Sequence, residues 1–243
     1  MTLQQRIERE RLHGKVIIDT EEDNWGWNKP AGKIRWQRRL NYLSQALEDK
    51  HGTVLEIGAG SGTFTVALAE IFSSLTAIDI CADLLEIARS KQPSVNLLCM
   101  DAHNLTFPND QFEAIIGCSV LHHLDWDLAL QGFFEKLKPG GVIRFSEPNL
   151  LNPQIFVQKN VPFVKRYVGD SPDEYAFTVW QIERSLKKAG FSQIKVVPYE
   201  FLHPSTPPKF IDTLIKVEKL LSKTWLKHFG GSLMIEAMKP ADR

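Results

Sequence analysis

His122 and His123 stand side by side after the apolar run Ala114-Ile115-Ile116-Gly117-Cys118, with Asp125 close behind. An imidazole titrates near neutrality, so either ring could take a proton from a hydroxyl or an acidic carbon; the pair could equally orient its own loop. Glu147 and His203 are weaker candidates for proton transfer and read more simply as hydrogen-bonding loop residues. Other carboxylates sit in or just beyond apolar runs: Glu56 within Val54-Leu55-Glu56-Ile57, Asp79 after Leu75-Thr76-Ala77-Ile78, and Asp101 after Met100. An acid at a strand tip about 20 residues past a glycine loop can accept from both hydroxyls of a ribose. Asp79, which follows Gly58 at that distance, is expected to do so. Cys81, Cys99 and Cys118 are odd in number and none belongs to a CxxC pair, so they read as small hydrophobes beside a cleft rather than as a disulfide or zinc set.

The element that must position these groups is Thr53-Val54-Leu55-Glu56-Ile57-Gly58-Ala59-Gly60-Ser61-Gly62-Thr63. Its apolar start reads as a buried parallel strand, and its three alternate glycines as a turn that backbone must approach closely. From 64 to 72 the apolar spacing becomes helical, so the loop opens a helix whose unpaired N–H groups face the strand's carboxyl end. That arrangement is a small-ligand site. A dinucleotide fingerprint, G-x-G-x-x-G, would need a third glycine at 63, where the chain has threonine.

The order Glu56-x-Gly58-x-Gly60-x-Gly62 resembles the first motif of class I S-adenosylmethionine (SAM)-dependent methyltransferases. Four further stretches resemble the family in the same order: Asp79-Ile80, Asp101-Ala102, the run Cys118-Ser119-Val120-Leu121-His122-His123-Leu124, and Leu137-Lys138-Pro139-Gly140-Gly141 ahead of a strand. Glu113 replaces the family's usual Asp. The resemblance implies an α/β, three-layer αβα fold, with a seven-stranded, mostly parallel sheet of order 3-2-1-4-5-7-6 whose last strand is antiparallel. It implies S-adenosyl-L-methionine as cofactor, held by Glu56, Gly58, Ala59, Gly60, Gly62, Asp79, Ile80, Asp101, Ala102, Cys118 and Ser119, with Asp101 accepting from the adenine amino group. Trp25 and Arg38 join this set because a tryptophan- and glycine-bearing flap followed by a basic helix precedes the glycine loop, with Lys33, Arg35 or Arg38 implied near the cofactor's carboxylate. The alternative for that segment is tryptophans packed on the domain and a solvated basic face.

The implied activity is transfer of a methyl group to a small-molecule acceptor, most simply O- or C-methylation by in-line displacement. H-H-L-x-D and S-E-P-N bring the chain nearest to the group containing ubiquinone and menaquinone C-methyltransferases. A base-amine methyltransferase would carry N/D-P-P-Y/F after the fourth strand. A catechol-type enzyme would carry clustered acids for Mg²⁺, where this chain has Cys118, so no metal is implied. A non-catalytic SAM-binding partner subunit uses the same cofactor motifs, and an NAD-dependent oxidoreductase accommodates Gly58, Gly60 and Asp79 but not Thr63.

With 243 residues, one α/β domain with additions is expected, and a formal net charge of zero offers no basic field for nucleic acid. The charged start MTLQQRIERERLHGK lacks a signal peptide's apolar core, so a cytoplasmic protein is expected. Residues 1–48 read as a helical and flap segment, and 49–243 as the methyltransferase domain, with acceptor-side insertions at 150–176 and 201–228. Prolines 153, 162 and 172 punctuate the first insertion, which shows no regular period. In the second, residues 210–227 form an amphipathic helix with Ile211, Leu214, Ile215, Leu221 and Trp225 along one side. That helix is expected to pack on the domain; the alternative is peripheral contact with an anionic membrane surface.

Overall fold

Four of the five residues of β1 (Thr53–Ile57) are buried, as a strand with neighbours on both edges and helices on both faces requires. The computed structural model describes residues 2–17, 26–171 and 174–241, without the side chains of 15–17. Around β1 lie β2 (Ser74–Asp79), β3 (Asn96–Cys99), β4 (Phe112–Cys118), β5 (Leu137–Pro148), β6 (Ser192–Tyr199) and β7 (Ser232–Met238). Their order is β3-β2-β1-β4-β5-β7-β6, with the first five strands mutually parallel and β7 antiparallel to both β5 and β6. This is the topology implied by the resemblance. Within it, the carboxyl ends of β1, β2 and β4 open toward the same side.

Side-chain alternation divides the core into two layers. Leu55, Ile57 and Ile115 join Phe133, Phe145, Ile182 and Ile235 on one face, packed by α5 (Trp126–Lys136) and α8 (Val179–Ala189). Val54, Ala114 and Ile116 point to the other face, where Leu40, Leu43, Leu68 and Phe72 cover them from α2 (Pro30–Ser44) and α3 (Thr65–Ile71). α4 (Ala82–Lys91) completes that layer against β2 and β3. α8 follows its sequence signals closely. Thr178 and Gln181 form a reciprocal capping box, and Gly190 ends the helix at φ 101°.

Three local features depart from expectation. The 150–176 insertion contains two short helices, α6 (Pro153–Asn160), capped by the Asn152 side chain, and α7 (Pro162–Tyr167), each opened by a proline at its first position. The helix expected at 210–227 runs as α9 (Pro208–Leu221), and Trp225 falls in a separate 3-10 turn, Trp225–Phe229. β5 begins at Leu137, so Lys138-Pro139-Gly140-Gly141 lies within the strand. Its register against β4 shifts between Phe112 and Ala114, and Gly140 takes φ 79°. Ahead of the sheet, α1 (Leu3–Ile17) lies across the strand ends and touches α4.

Candidate active site

A cavity of about 590 Å³ lies over the carboxyl ends of β1, β2 and β4. Its inner half is built mostly from backbone. Gly58 and Gly60 take φ of 74° and 53°. A Cβ on Gly58 would come within 2.6 Å of Val120 Cγ2, so only glycine fits there. Asp79 accepts from the Gly60 N–H through Oδ2 and from the Cys81 N–H through Oδ1, both at 2.8 Å, which ties the glycine loop to the tip of β2. Burial raises the Asp79 pKa, and these backbone donors only partly offset it.

Glu56 sits behind the loop, fully buried, with Oε2 lacking a hydrogen-bond partner. Burial, aided by the nearby Asp79 charge, pushes its pKa up to about 7. Gly62 also lies outside the cavity wall, and the space of its missing Cβ lets the loop pack on Ala88. At the end of β3, Asp101 Oδ1 takes hydrogen bonds from the His103 backbone and ring at 2.9 and 2.7 Å. Burial raises this carboxyl, but the His103 contacts outweigh it and hold the pKa below its ordinary value.

Ala59, Ile80, Ala102, Cys118 and Ser119 line the same cavity. Ser119 adopts φ 55°, an uncommon conformation for a residue with a side chain, held by its N–H bond to Ser146 O at 2.8 Å. Burial raises the Cys118 thiol to about 11, so it is a neutral wall group. Trp25 lies outside the described residues. Arg38 is absent from the cavity wall and pairs with Glu218 of α9 at 2.9 Å. The α2 cations that do line the cavity are Arg35 and Arg39, which share a helix face at i, i+4 and both pair with Glu200, at 2.8 and 2.6 Å. Trp36 of the same helix donates to Thr63 O at 3.0 Å and stacks on Phe64, bracing the loop's exit.

The outer half is built from charged side chains. The Val120 and Leu121 N–H groups donate to Glu147 Oε1 at 2.9 and 3.0 Å, and His122 Nδ1 lies 2.8 Å from Oε2. With Nδ1 donating to that carboxylate, His122 carries its lone pair on Nε2. Burial, then the neighbouring His123, lowers the His122 pKa despite Glu147. His123 Nδ1 lies 2.8 Å from Glu10 Oε2 of α1. Burial would lower the His123 pKa, but Glu174 and Glu10 reverse this and raise it. Lys159, buried, pairs with Glu174 and, at 2.8 Å, with Asp170. His203 stands further out, 2.9 Å from Gln154.

Glu10, Lys159, Asp170 and Glu174 thus belong to the site without any motif to announce them. Three come from the proline-punctuated insertion and one from the N-terminal helix, whose mixed charges carry no motif in the sequence.

Comparison with known proteins agrees with this geometry. Residues 54–141 match the family described as a methyltransferase domain. Over 160 residues the chain is 31% identical to a ubiquinone biosynthesis O-methyltransferase of Coxiella burnetii, covering 61% of this chain and 66% of the relative, just short of two thirds of its length. It is 26% identical to a demethylmenaquinone methyltransferase of Streptomyces avermitilis, covering 58% and 68% of the two chains. The fold matches a SAM-dependent methyltransferase, possible histamine N-methyltransferase, of Thermotoga maritima at a TM-score of 0.69, with 21% identity and coverage of 91% and 96%. A cradle that only glycine can form, an acid at each of two neighbouring strand tips and this sheet order meet what those similarities require. Residues 54–141 thus carry a methyltransferase domain, set in the fold of the SAM-dependent methyltransferases, and over about 160 residues the chain is similar to quinone methyltransferases.

Proposed function

We propose that this protein transfers a methyl group from SAM to a hydroxyl or acidic carbon of a small quinone-type molecule. The observation that carries the reading is a single cavity that reaches from the glycine loop to His122, a neutral imidazole held by Glu147. When bound, SAM supplies a methyl carbon already activated by a sulfonium. Gly58, Gly60 and Asp79 would hold its methionine and ribose portions, Asp101 its adenine amine, and the Arg35 and Arg39 pair its carboxylate.

The chain's main work is then alignment and exclusion of water. α1 roofs the cavity through Ile7, Glu10 and Gly14, while Ile155 and Val168 close it from the insertion. His122 Nε2 takes the acceptor's proton, and Glu147 keeps Nδ1 protonated and steadies the imidazolium that results. No divalent ion enters this reading. Residues 1–48 act in it as the cap, 49–243 as the catalytic domain with acceptor-side insertions at 150–176 and 201–228, and the cytoplasm as its setting. Incubation with methyl-labelled SAM and a panel of hydroxylated and ring-unsubstituted quinols should move label into one class. Binding of S-adenosylhomocysteine without transfer of label to any quinol or to any component of a cell extract would overturn the reading in favour of a cofactor-binding partner subunit.

A second element of the reading is peripheral membrane contact by α9. Ile211, Leu214 and Ile215 pack on Ala31 and Leu202, so that side of the helix is committed to the domain. Phe210, Val217 and Leu220 are exposed, as are Lys209, Lys216 and Lys219 beside them and Trp225 beyond the helix. Exposed apolar groups flanked by lysines suit an anionic bilayer from which an apolar acceptor would be drawn. Among the described residues no helix is long and apolar enough to cross a membrane. Absence of sedimentation with anionic vesicles at low salt would remove this element.

A further inference from the structure

The outer half of the cavity brings together His122, His123 and Glu174, whose ligand-capable atoms all lie within 4.8 Å of one another. His122 Nε2, the lone-pair nitrogen, faces Glu174 Oε2 at 3.8 Å, and both side chains are 6% exposed. Lys159 already pairs with the same Oε2, so an ion bound between these two acceptors would stand in for that ammonium. His123 Nδ1, which bonds Glu10, lies 3.8 Å from Glu174 Oε1, so the other nitrogen of that ring is the one left for an ion. Behind His122, Glu147 completes a carboxylate–histidine pair of the kind that orients and strengthens a metal-bound imidazole.

We propose that His122, His123 and Glu174 form a binding site for a divalent transition-metal ion of the zinc type. Two imidazoles and one carboxylate suit Zn²⁺, Co²⁺ or Ni²⁺ better than Mg²⁺ or Ca²⁺, which prefer oxygen alone. Bonds of about 2.0–2.2 Å require the three groups, now within 4.8 Å of one another, to draw together. The competing cation is Lys159, which pairs with that same oxygen of Glu174 and keeps Asp170 as a partner if Glu174 turns to the metal. An ion on Nε2 withdraws the lone pair that proton transfer uses, so loading the site switches the base off. This consequence rests on the function proposed above, whereas the binding does not.

The test uses the full chain stripped of metal and dialysed against Zn²⁺ or Co²⁺, with bound metal counted by elemental mass spectrometry and the Co²⁺ visible spectrum recorded. One ion per chain is expected. His122→Asn and Glu174→Gln should each weaken binding by about 10–100-fold. Lys159→Met should tighten it by about tenfold, by removing the competing charge. His51→Asn, which alters a ring hydrogen-bonded to Ser73 at the surface, should leave it unchanged. Fewer than one ion per chain, loss of metal in His51→Asn, or unchanged or weaker binding in Lys159→Met overturns the proposal. The Lys159 arm decides it even if Glu174→Gln folds poorly, since a merely structural cluster would not gain affinity. Methyl transfer that requires metal would overturn the switch, while the metal counts above decide the binding.

Discussion

The two halves of the cavity are made of different material. The inner half uses backbone: two glycines at positive φ, N–H groups donated to Asp79, and a strand tip on each side, all within residues 53–101. The outer half uses side chains from four places: Glu10 on α1, His122 and His123 after β4, Glu147 at the end of β5, and Lys159, Asp170 and Glu174 in the insertion. A backbone cradle comes with the sheet and varies little once the strands are paired. A cluster of side chains carried by cover helices can be rebuilt without disturbing the sheet. In the function proposed above, the first half serves the cofactor and the second the acceptor.

The sharpest break between the halves comes from Gly58→Val, which places atoms where Val120 already sits at 2.6 Å from a Cβ. Calorimetry should detect no S-adenosylhomocysteine binding; normal affinity would mean that the cofactor lies elsewhere. Next in size, His122→Asn should slow methyl transfer by about 10²–10⁴-fold while sparing S-adenosylhomocysteine affinity. A matching loss of affinity would show that the halves are not separable. Asp79→Ala should then weaken the cofactor by about 1.5–3 kcal/mol, the scale of a charge-assisted hydrogen bond, with the acceptor's KM unmoved at saturating SAM.

Protonation separates the halves more gently. The lowered His122 pKa means its lone pair is free above a folded value under the ordinary 6.5, so kcat/KM should rise with pH through an apparent pKa below 6.5. His123 behaves in the opposite sense. Its raised pKa contributes stability that is complete below the unfolded value of 6.5 and lost as pH rises through the folded value. The lowered pKa of Glu10 contributes stability above 4.5 that is lost as pH falls through its folded value. Amide exchange in α1 should thus be slowest between those limits and faster on both sides. Exchange that ignores pH, after correction for the intrinsic rate, would remove the His123–Glu10 contact as the tie.

The smallest effects fall outside the cavity. Leu214→Ser should cost about 1–3 kcal/mol in urea unfolding, because Leu214 packs on the Ala31 and Leu202 cluster. Trp225→Ser, at a residue 69% exposed, should change stability by less than about 0.5 kcal/mol. If the Trp225 change also leaves vesicle binding intact, the 3-10 turn has no part in membrane contact.

What the residues alone determined is local. Glycines at alternate positions after a buried strand can only be a tight backbone cradle, and Asp79 one strand away is in reach of it because parallel neighbours end together. Thr178 with Gln181 and Gly190 specified both ends of α8 in the same way. What only the tertiary structure decided is which charged side chains meet. Arg38 reads like Arg35 and Arg39 in sequence, yet its short ion pair, at 2.9 Å, is with Glu218 of α9 and it reaches Glu200 only at 3.8 Å, while the other two bind Glu200 closely at the cavity. Glu10 and Glu174 carry no pattern either. They acquire a role because α1 and the insertion fold over the same strand ends, and a long-range pairing of charges leaves no periodicity along the chain.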